Sequence, residues 1–371
     1  MKRILTAESV TAGHPDKMAD QIADSILDEC LRQDASSHVA CEVMLTADTV
    51  IIAGEISCRG FVDYRGIALA VISEVGYSVD KLRVLVLIHE QSPDIAQAVG
   101  TDMEQGAGDQ GIMYGYATNE SFSRMPLPIA IAQGLTRRLE DCRTNGCISG
   151  LMPDGKAQVS IEYEDGVFNR ITSIVISAQH GASANIEKIR DSILHEVIES
   201  ELSEFDLSGT EILINPSGRF VLGGFEADTG LTGRKLMVDS YGGIAHHGGG
   251  AFSGKDASKV DRSGAYMARY IACNIVAAGY ADQCEVALSY AIGKAEPTSV
   301  NVDSFGTGVI SDDRIREAVL SVFDLRPAAI IQRLGLTRPC FAVTATGGHF
   351  GRSEFAWEQT DMVEQLENAL N

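Results

Sequence analysis

Residues 230–262 read GLTGRKLMVDSYGGIAHHGGGAFSGKDASKVDR, and this stretch differs in kind from the rest of the chain. It combines clustered glycines, two adjacent histidines (His246, His247) and five basic side chains: Arg234, Lys235, Lys255, Lys259 and Arg262. Three acids accompany them, Asp239, Asp256 and Asp261, so the stretch is net positive by two inside a chain whose net charge is −21. Glycine lets backbone approach a ligand where a side chain would clash. Lys and Arg clamp phosphoryl oxygens. A polyphosphate is the expected occupant, against the alternative of a solvated basic loop.

Outward from this stretch, composition narrows the classes. A chain of 371 residues, 45% apolar and 22% charged, suits a soluble globular protein of two or three domains. Its acidity argues against nucleic acid or an anionic membrane as partner, since both need a basic face. The eight cysteines are scattered without C-x-x-C pairs, which reads as reduced, mostly buried thiols in a cytoplasmic protein. MKRILTAESV lacks a signal-peptide apolar run, and no stretch approaches the ~20 apolar residues of a membrane span.

Met18, Ile22, Ile26 and Cys30 recur every four residues, predicting an amphipathic helix with Pro15 in its first turn. Gly13-His14-Pro15-Asp16-Lys17 then wraps the positive end of that helix. Asp20, Asp24 and Asp28 read as a solvated acidic face, with Asp16 set apart beside His14 and Lys17. Residues 39–45 and 49–57 predict a hairpin in which Glu42 and Glu55 interrupt apolar runs. A carboxylate withdrawn from water needs a cation or donors, so each is expected to have a partner, or else to point to solvent from an edge strand. Residues 62–75 predict a helix and 81–88 a buried strand. The polar, Gly-rich segment 92–105 reads as a mobile lid that orders on ligand binding. Helices are expected at 128–143, 185–202, 262–278, 312–323 and 327–334. Residues 157–164 and 170–179 read as a hairpin flanked by Asp-Gly turns at 154–155 and 165–166, with Lys156 at the strand's lip. Residues 211–224 read as a strand and a Pro-Ser-Gly turn presenting Arg219 and Phe220, and strands are expected at 284–293 and 298–305.

Two nucleotide signatures almost appear. Gly106–Gly111 matches G-x-G-x-x-G but lacks the surrounding strand and helix pattern, which excludes a dehydrogenase. Gly249–Asp256 nearly spells G-x-x-x-x-G-K-[ST], but Asp256 replaces the metal-binding hydroxyl. A P-loop-like ATPase is the alternative on spacing alone, with a nucleotide-binding regulator third.

Gly13–Lys17, Gln91–Ile95, Gly106–Gly111 followed by Tyr114–Thr118, Gly230–Lys235, Gly248–Asp256 and Ala295–Ser299 together resemble the signatures of S-adenosylmethionine synthetase, in order and across nearly the whole chain. The resemblance implies an α/β (α+β) fold of three similar domains, each a mixed sheet backed by helices in a pseudo-threefold arrangement, here 1–100, 101–225 and 226–371. It implies synthesis of S-adenosyl-L-methionine from L-methionine and ATP, the sulfur displacing triphosphate at C5′ and the triphosphate then being hydrolysed to pyrophosphate and phosphate. Such a displacement needs alignment and stabilisation of the leaving charge rather than a general base. Carried over by motif, His14, Lys156, Arg234, Lys235, Lys255 and Asp109 are catalytic. His14, Asp154, Gly155, Lys156, Arg219, Phe220, Asp228, Arg234, Lys235, Ala251 and Lys255 bind ATP, while Glu55, Gln91, Asp228 and Lys259 bind methionine. Asp16 and Asp261 hold Mg²⁺, two ions being expected, and Glu42 holds K⁺. The family assembles as a homodimer or homotetramer with active sites between subunits. The chain departs from the family in a short 77–85 stretch, in Gly347 where an aromatic is usual, and in Ala356 for a usual proline.

Overall fold

The computed structural model describes residues 1–90 and 106–370. Its strands are β1 (Lys2–Val10), β2 (His38–Thr46), β3 (Thr49–Ser57), β4 (Arg83–His89), β5 (Gly111–Thr118), β6 (Leu151–Glu164), β7 (Val167–His180), β8 (Glu211–Ile214), β9 (Gly230–Leu231), β10 (Gln283–Tyr290) and β11 (Ser299–Asp303). They form three sheets, ordered β1-β6-β7-β8, β11-β10-β5 and β4-β3-β2-β9. Each sheet borrows a strand from a distant part of the chain. Lys2 of β1 lies opposite Glu164 of β6, Met44 of β2 opposite Leu231 of β9, and Thr118 of β5 opposite Gln283 of β10.

A helix backs each sheet. α1 (Pro15–Gln33) buries Met18, Ile22, Ile26 and Cys30 at the predicted spacing and packs on β2. α2 (Tyr64–Val75) follows β3, and α3 (Leu127–Thr144) packs on β6 in a separate core that includes Leu135, Leu139, Val159 and Ile176. α4 (Ile186–Ile193) covers the start of the predicted 185–202 helix, which continues as a π-helical turn over Leu194–Glu199. α5 (Val260–Ala277) is apolar or small on nearly every side, is buried almost throughout, and crosses β5 and β10. A Cβ at Gly115 would lie 1.9 Å from the Ala268 carbonyl carbon, so glycine is what allows β5 and α5 to meet there. α6 (Asp312–Val322), α7 (Pro327–Leu334) and α8 (Val363–Leu370) complete the C-terminal part.

Three expectations are corrected. The acids of α1 are not a solvated face: Asp20, Asp24 and Asp28 are buried because each meets a donor brought from far along the chain. β4 is not buried; it is a sheet edge with Leu85, Val86 and Leu87 exposed. Asp154-Gly155 is not a turn but lies within β6 at a register shift, which puts Lys156 inside the strand opposite Val10 and Ser177 rather than at its lip. Glu42 and Glu55 are exposed, but β2 and β3 lie inside their sheet and are not the edge strands of the solvent-facing alternative. β1 and β5 are strands that no sequence expectation covers. No helix among the described residues is long and apolar enough to cross a membrane.

Candidate active site

The positive end of α1 is the first anchor. His14 is its N-cap, accepting the Asp16 N–H at Nδ1 (3.2 Å). Burial, then the charges of Lys235 and Lys156, depress the His14 pKa to about 3. The imidazole is therefore neutral near pH 7, and with Nδ1 accepting, its proton sits on Nε2. Asp16 Oδ1 accepts the Leu231 N–H (3.0 Å) and Oδ2 accepts from Lys235 Nζ (2.6 Å), bonds that overcome burial and keep its pKa low. Below this lies a layer the sequence reading missed. Lys17, Asp20 and Asp239 form a fully buried triad, with Lys17 Nζ 2.9 Å from Asp20 and 2.5 Å from Asp239. Asp20 Oδ1 accepts the Gly233 N–H at 2.9 Å, fixing the turn that carries Arg234 and Lys235. The sequence signal is Lys17 itself, the last residue of the Gly13–Lys17 motif.

Asp154, Gly155 and Lys156 join this first set through β6, whose Gly155 carbonyl accepts the Thr11 N–H (2.9 Å). Asp154 is buried, which raises its pKa, and its Oδ2 accepts the Gly224 N–H. Phe220 is held by two bonds to His180, while Arg219 and Asp228 are exposed nearby.

A second set gathers around β2, β3 and residues 251–261. Gly254 has φ +79°, and a Cβ on it would fall 2.0 Å from the Cys41 carbonyl oxygen. Only glycine lets the backbone pass there, so the Gly254 carbonyl accepts from Cys41 and Lys255 is delivered beside β2. Lys255 Nζ is 3.0 Å from Asp261 Oδ2, and Lys259 Nζ is 2.5 Å from Asp256 Oδ2. Glu42 reaches solvent, yet the partial desolvation it meets on β2, with help from Asp20 and Glu55 and against the pull of Lys255, raises its pKa, the profile of a carboxylate that would gain from a cation. The backbone beneath is held by a buried bidentate pair. Arg262 donates to both Asp24 oxygens (2.7 and 2.8 Å) and to the Lys255 carbonyl (3.0 Å), while Asp24 accepts the Gly254 N–H (2.8 Å).

The two sets adjoin where Gly233 faces Ala251: a Cβ on Gly233 would be 2.6 Å from the Ala251 Cβ. Asp109 is exposed, its Oδ1 accepting the next N–H, and among the described residues it has no side-chain hydrogen bond or ion pair to either set. Gln91 and the expected lid, 92–105, lie outside the described residues. Neither nucleotide signature has its required geometry: Gly106–Gly111 leads into β5 rather than a helix, and Gly249–Asp256 neither follows a strand nor opens a helix at Lys255, since α5 begins at Val260.

Among the described residues no three His, Cys, Asp or Glu side chains form a metal cage. The donor set instead suits Mg²⁺ held by one or two carboxylates and completed by phosphate oxygens and waters. A cavity of about 290 Å³ opens behind the His14 turn, lined by Thr11, Ala12, Arg137 and Arg352, and holds none of the expected residues.

Comparison with known proteins covers both sets. Sequence models of the S-adenosylmethionine synthetase N-terminal, central and C-terminal domains match residues 2–93, 104–220 and 222–359. Proteins named S-adenosylmethionine synthase from Desulforudis audaxviator (49% identical, covering 99% of this chain and 98% of the relative), Nocardioides sp. (50%, 99% and 98%) and Thermus thermophilus (50%, 98% and 98%) match along their whole length. With three domain matches in sequence and about half of all positions shared end to end, the chain belongs to the S-adenosylmethionine synthetase family.

Proposed function

We propose that this chain joins L-methionine to ATP, the methionine sulfur attacking C5′ of the ribose with loss of triphosphate, followed by hydrolysis of the triphosphate to pyrophosphate and phosphate. The observation that carries this reading is the convergence of Lys156, Lys235 and a neutral, buried His14 at one helix start. A thioether has no proton to remove, so the site's task is to align the sulfur and stabilise a leaving group of high negative charge. Neutral His14 suits a hydrogen-bond donor through Nε2 to the departing 5′ oxygen. Lys156, Arg234, Lys235 and Lys255 neutralise the triphosphate, and Asp109 is a further acid of the site.

Asp154, Gly155, Arg219, Phe220, Asp228 and Ala251 contact ATP in this reading. Glu55, Gln91, Asp228 and Lys259 hold methionine. Asp16 and Asp261 would hold Mg²⁺, which supplies charge neutralisation of the triphosphate, and Glu42 would hold K⁺. Both carboxylates now rest against lysines, Lys235 and Lys255, that also belong to the clamp. An incoming polyphosphate offers those ammonium groups new partners and frees the carboxylates for metal. Exposure of Glu42 and Glu55 on one strand pair supports completion of the site by a second subunit, as homodimer or homotetramer, in a cytoplasmic enzyme.

The test is incubation with ATP, methionine, Mg²⁺ and K⁺, followed by mass detection of the sulfonium product. ADP released without methionine would point instead to an ATPase.

A further inference from the structure

The loop after α3 holds a feature that the synthetase reading does not use. Cys142 lies in the last turn of α3, is fully buried, and donates to the Glu196 carbonyl (3.9 Å from sulfur). Cys147 follows five residues later and is exposed. The intervening turn folds back on itself: the Ile148 N–H bonds to the Cys142 carbonyl (3.2 Å), and the Cys147 N–H to Asn145 Oδ1 (2.8 Å). The turn so formed sets the Cys147 thiol beside Cys142, near enough to contribute to the upward shift of the Cys142 pKa. Cys147 also lines a cavity of about 520 Å³ together with Ser149, Ser183, Asn185, Lys188 and Ser192. Lys188 is the one charged side chain in its wall. A cavity of that size admits a small organic molecule, and its hydroxyls and single cation suit one that carries carboxylates.

We propose that Cys147 and Cys142 form a thiol–disulfide modification site, in which a low-molecular-weight disulfide bearing carboxylates enters this cavity, thiolates Cys147, and is then displaced by Cys142. In the first step the Cys147 thiolate attacks one sulfur of the small disulfide. A Cys147 mixed disulfide forms and one small thiolate leaves. In the second step the Cys142 sulfur attacks Cys147 Sγ while its proton passes to the small thiolate that leaves. The protein disulfide forms and the second small thiolate leaves, so the small disulfide is reduced to two thiols as the two cysteines are oxidised.

The order follows from access. Of the pair only Cys147 meets solvent, and thiol–disulfide exchange requires a thiolate that can reach its target. Burial, and then the adjoining Cys147 thiol, push the Cys142 thiol up to about 12, so resolution is the slower step and the mixed disulfide is a transient with a measurable lifetime. The fully buried Cys41, Cys273 and Cys284 have no exposed cysteine adjoining them among the described residues.

The experiment treats the full-length protein with oxidised glutathione, traps free thiols by alkylation at successive times, and locates each modification by non-reducing peptide mass mapping. Glutathione should appear on Cys147 first, then give way to a Cys142–Cys147 disulfide. Cys147→Ser removes both products. Cys142→Ala, which keeps a small apolar group in the core, leaves the mixed disulfide on Cys147 to accumulate. Lys188→Glu slows thiolation about fivefold at low ionic strength, and less at high salt. Thiolation of Cys147 no faster than that of half-buried Cys340, or a mixed disulfide as persistent in the wild type as in Cys142→Ala, overturns the proposal.

Discussion

Removing the carboxylate of Asp24 tests whether the buried acids of α1 hold the protein together. Asp24 and Arg262 are both fully buried, and the carboxylate accepts two guanidinium bonds and the Gly254 N–H. In Asp24→Ala the guanidinium keeps its bonds to the Lys255 carbonyl and to Tyr266 and Thr344 but loses its counter-charge. An uncompensated buried charge costs about 3–5 kcal/mol, with a contribution of the order of 1 kcal/mol from the unsatisfied Gly254 N–H. For a chain of this size that is a fall in melting temperature of roughly 5–10 °C, read by circular dichroism at fixed protein concentration. The decisive comparison is the double variant Asp24→Ala/Arg262→Met. A long apolar side chain in place of the guanidinium removes the stranded charge, so the double variant should be more stable than Asp24→Ala alone by at least ~2 kcal/mol. Losses in the two single variants that simply add, or a single-variant loss under ~1 kcal/mol, would refute this reasoning.

Lys255→Ala and Arg234→Ala should each lower turnover about a hundredfold with the fold intact, since a charge-stabilising donor in a preorganised site is worth ~3 kcal/mol; near-normal turnover removes them from the clamp. Glu42→Gln should abolish stimulation by K⁺ while leaving a slow Mg²⁺-dependent reaction, measured by initial rates across a K⁺ titration; unchanged stimulation makes Glu42 only a strand residue. His349 is fully buried, and burial followed by Arg262 and Lys17 holds its pKa well below 6.5. A folded-state pKa below the unfolded one means that the unfolded chain takes up the proton first. Stability is therefore complete above about pH 6.5 and declines as the solution is acidified, by up to ~1.4 kcal/mol per pH unit from this group. His349→Gln should flatten that limb, and a slope equal to the wild type's between pH 7 and 5 refutes it.

Local pattern was enough for much of the fold. The four-residue recurrence from Met18 to Cys30 located α1, and the β-branched runs at 39–45 and 49–57 located β2 and β3 to within a residue or two. Where reading failed, the deciding partner was remote. Asp24 and Asp28 look solvent-facing on a helical wheel, yet one meets Arg262 and the other caps the backbone N–H groups of Cys340, Phe341 and Ala342. β4 reads as buried from its apolar run, but nothing in the run says that it ends its sheet. At the site, motif order located the charged residues, whereas the buried Lys17–Asp20–Asp239 support beneath His14 depends on a contact spanning more than two hundred positions. No periodicity encodes that.

The exchange of strands among the three sheets bears on how the chain is made. Lys2 cannot pair until Glu164 has been synthesised, the β2–β9 pairing waits for Leu231, and the β5–β10 pairing for Gln283. Contacts so distant in sequence carry a loop-closure cost before they return any stabilisation, and slow the search for the native state. No nascent chain that stops short of β11 can therefore complete all three sheets. β1 leaves the ribosome as an unpaired edge and stays one until β6 emerges, an interval in which strand-to-strand association with other chains competes with folding.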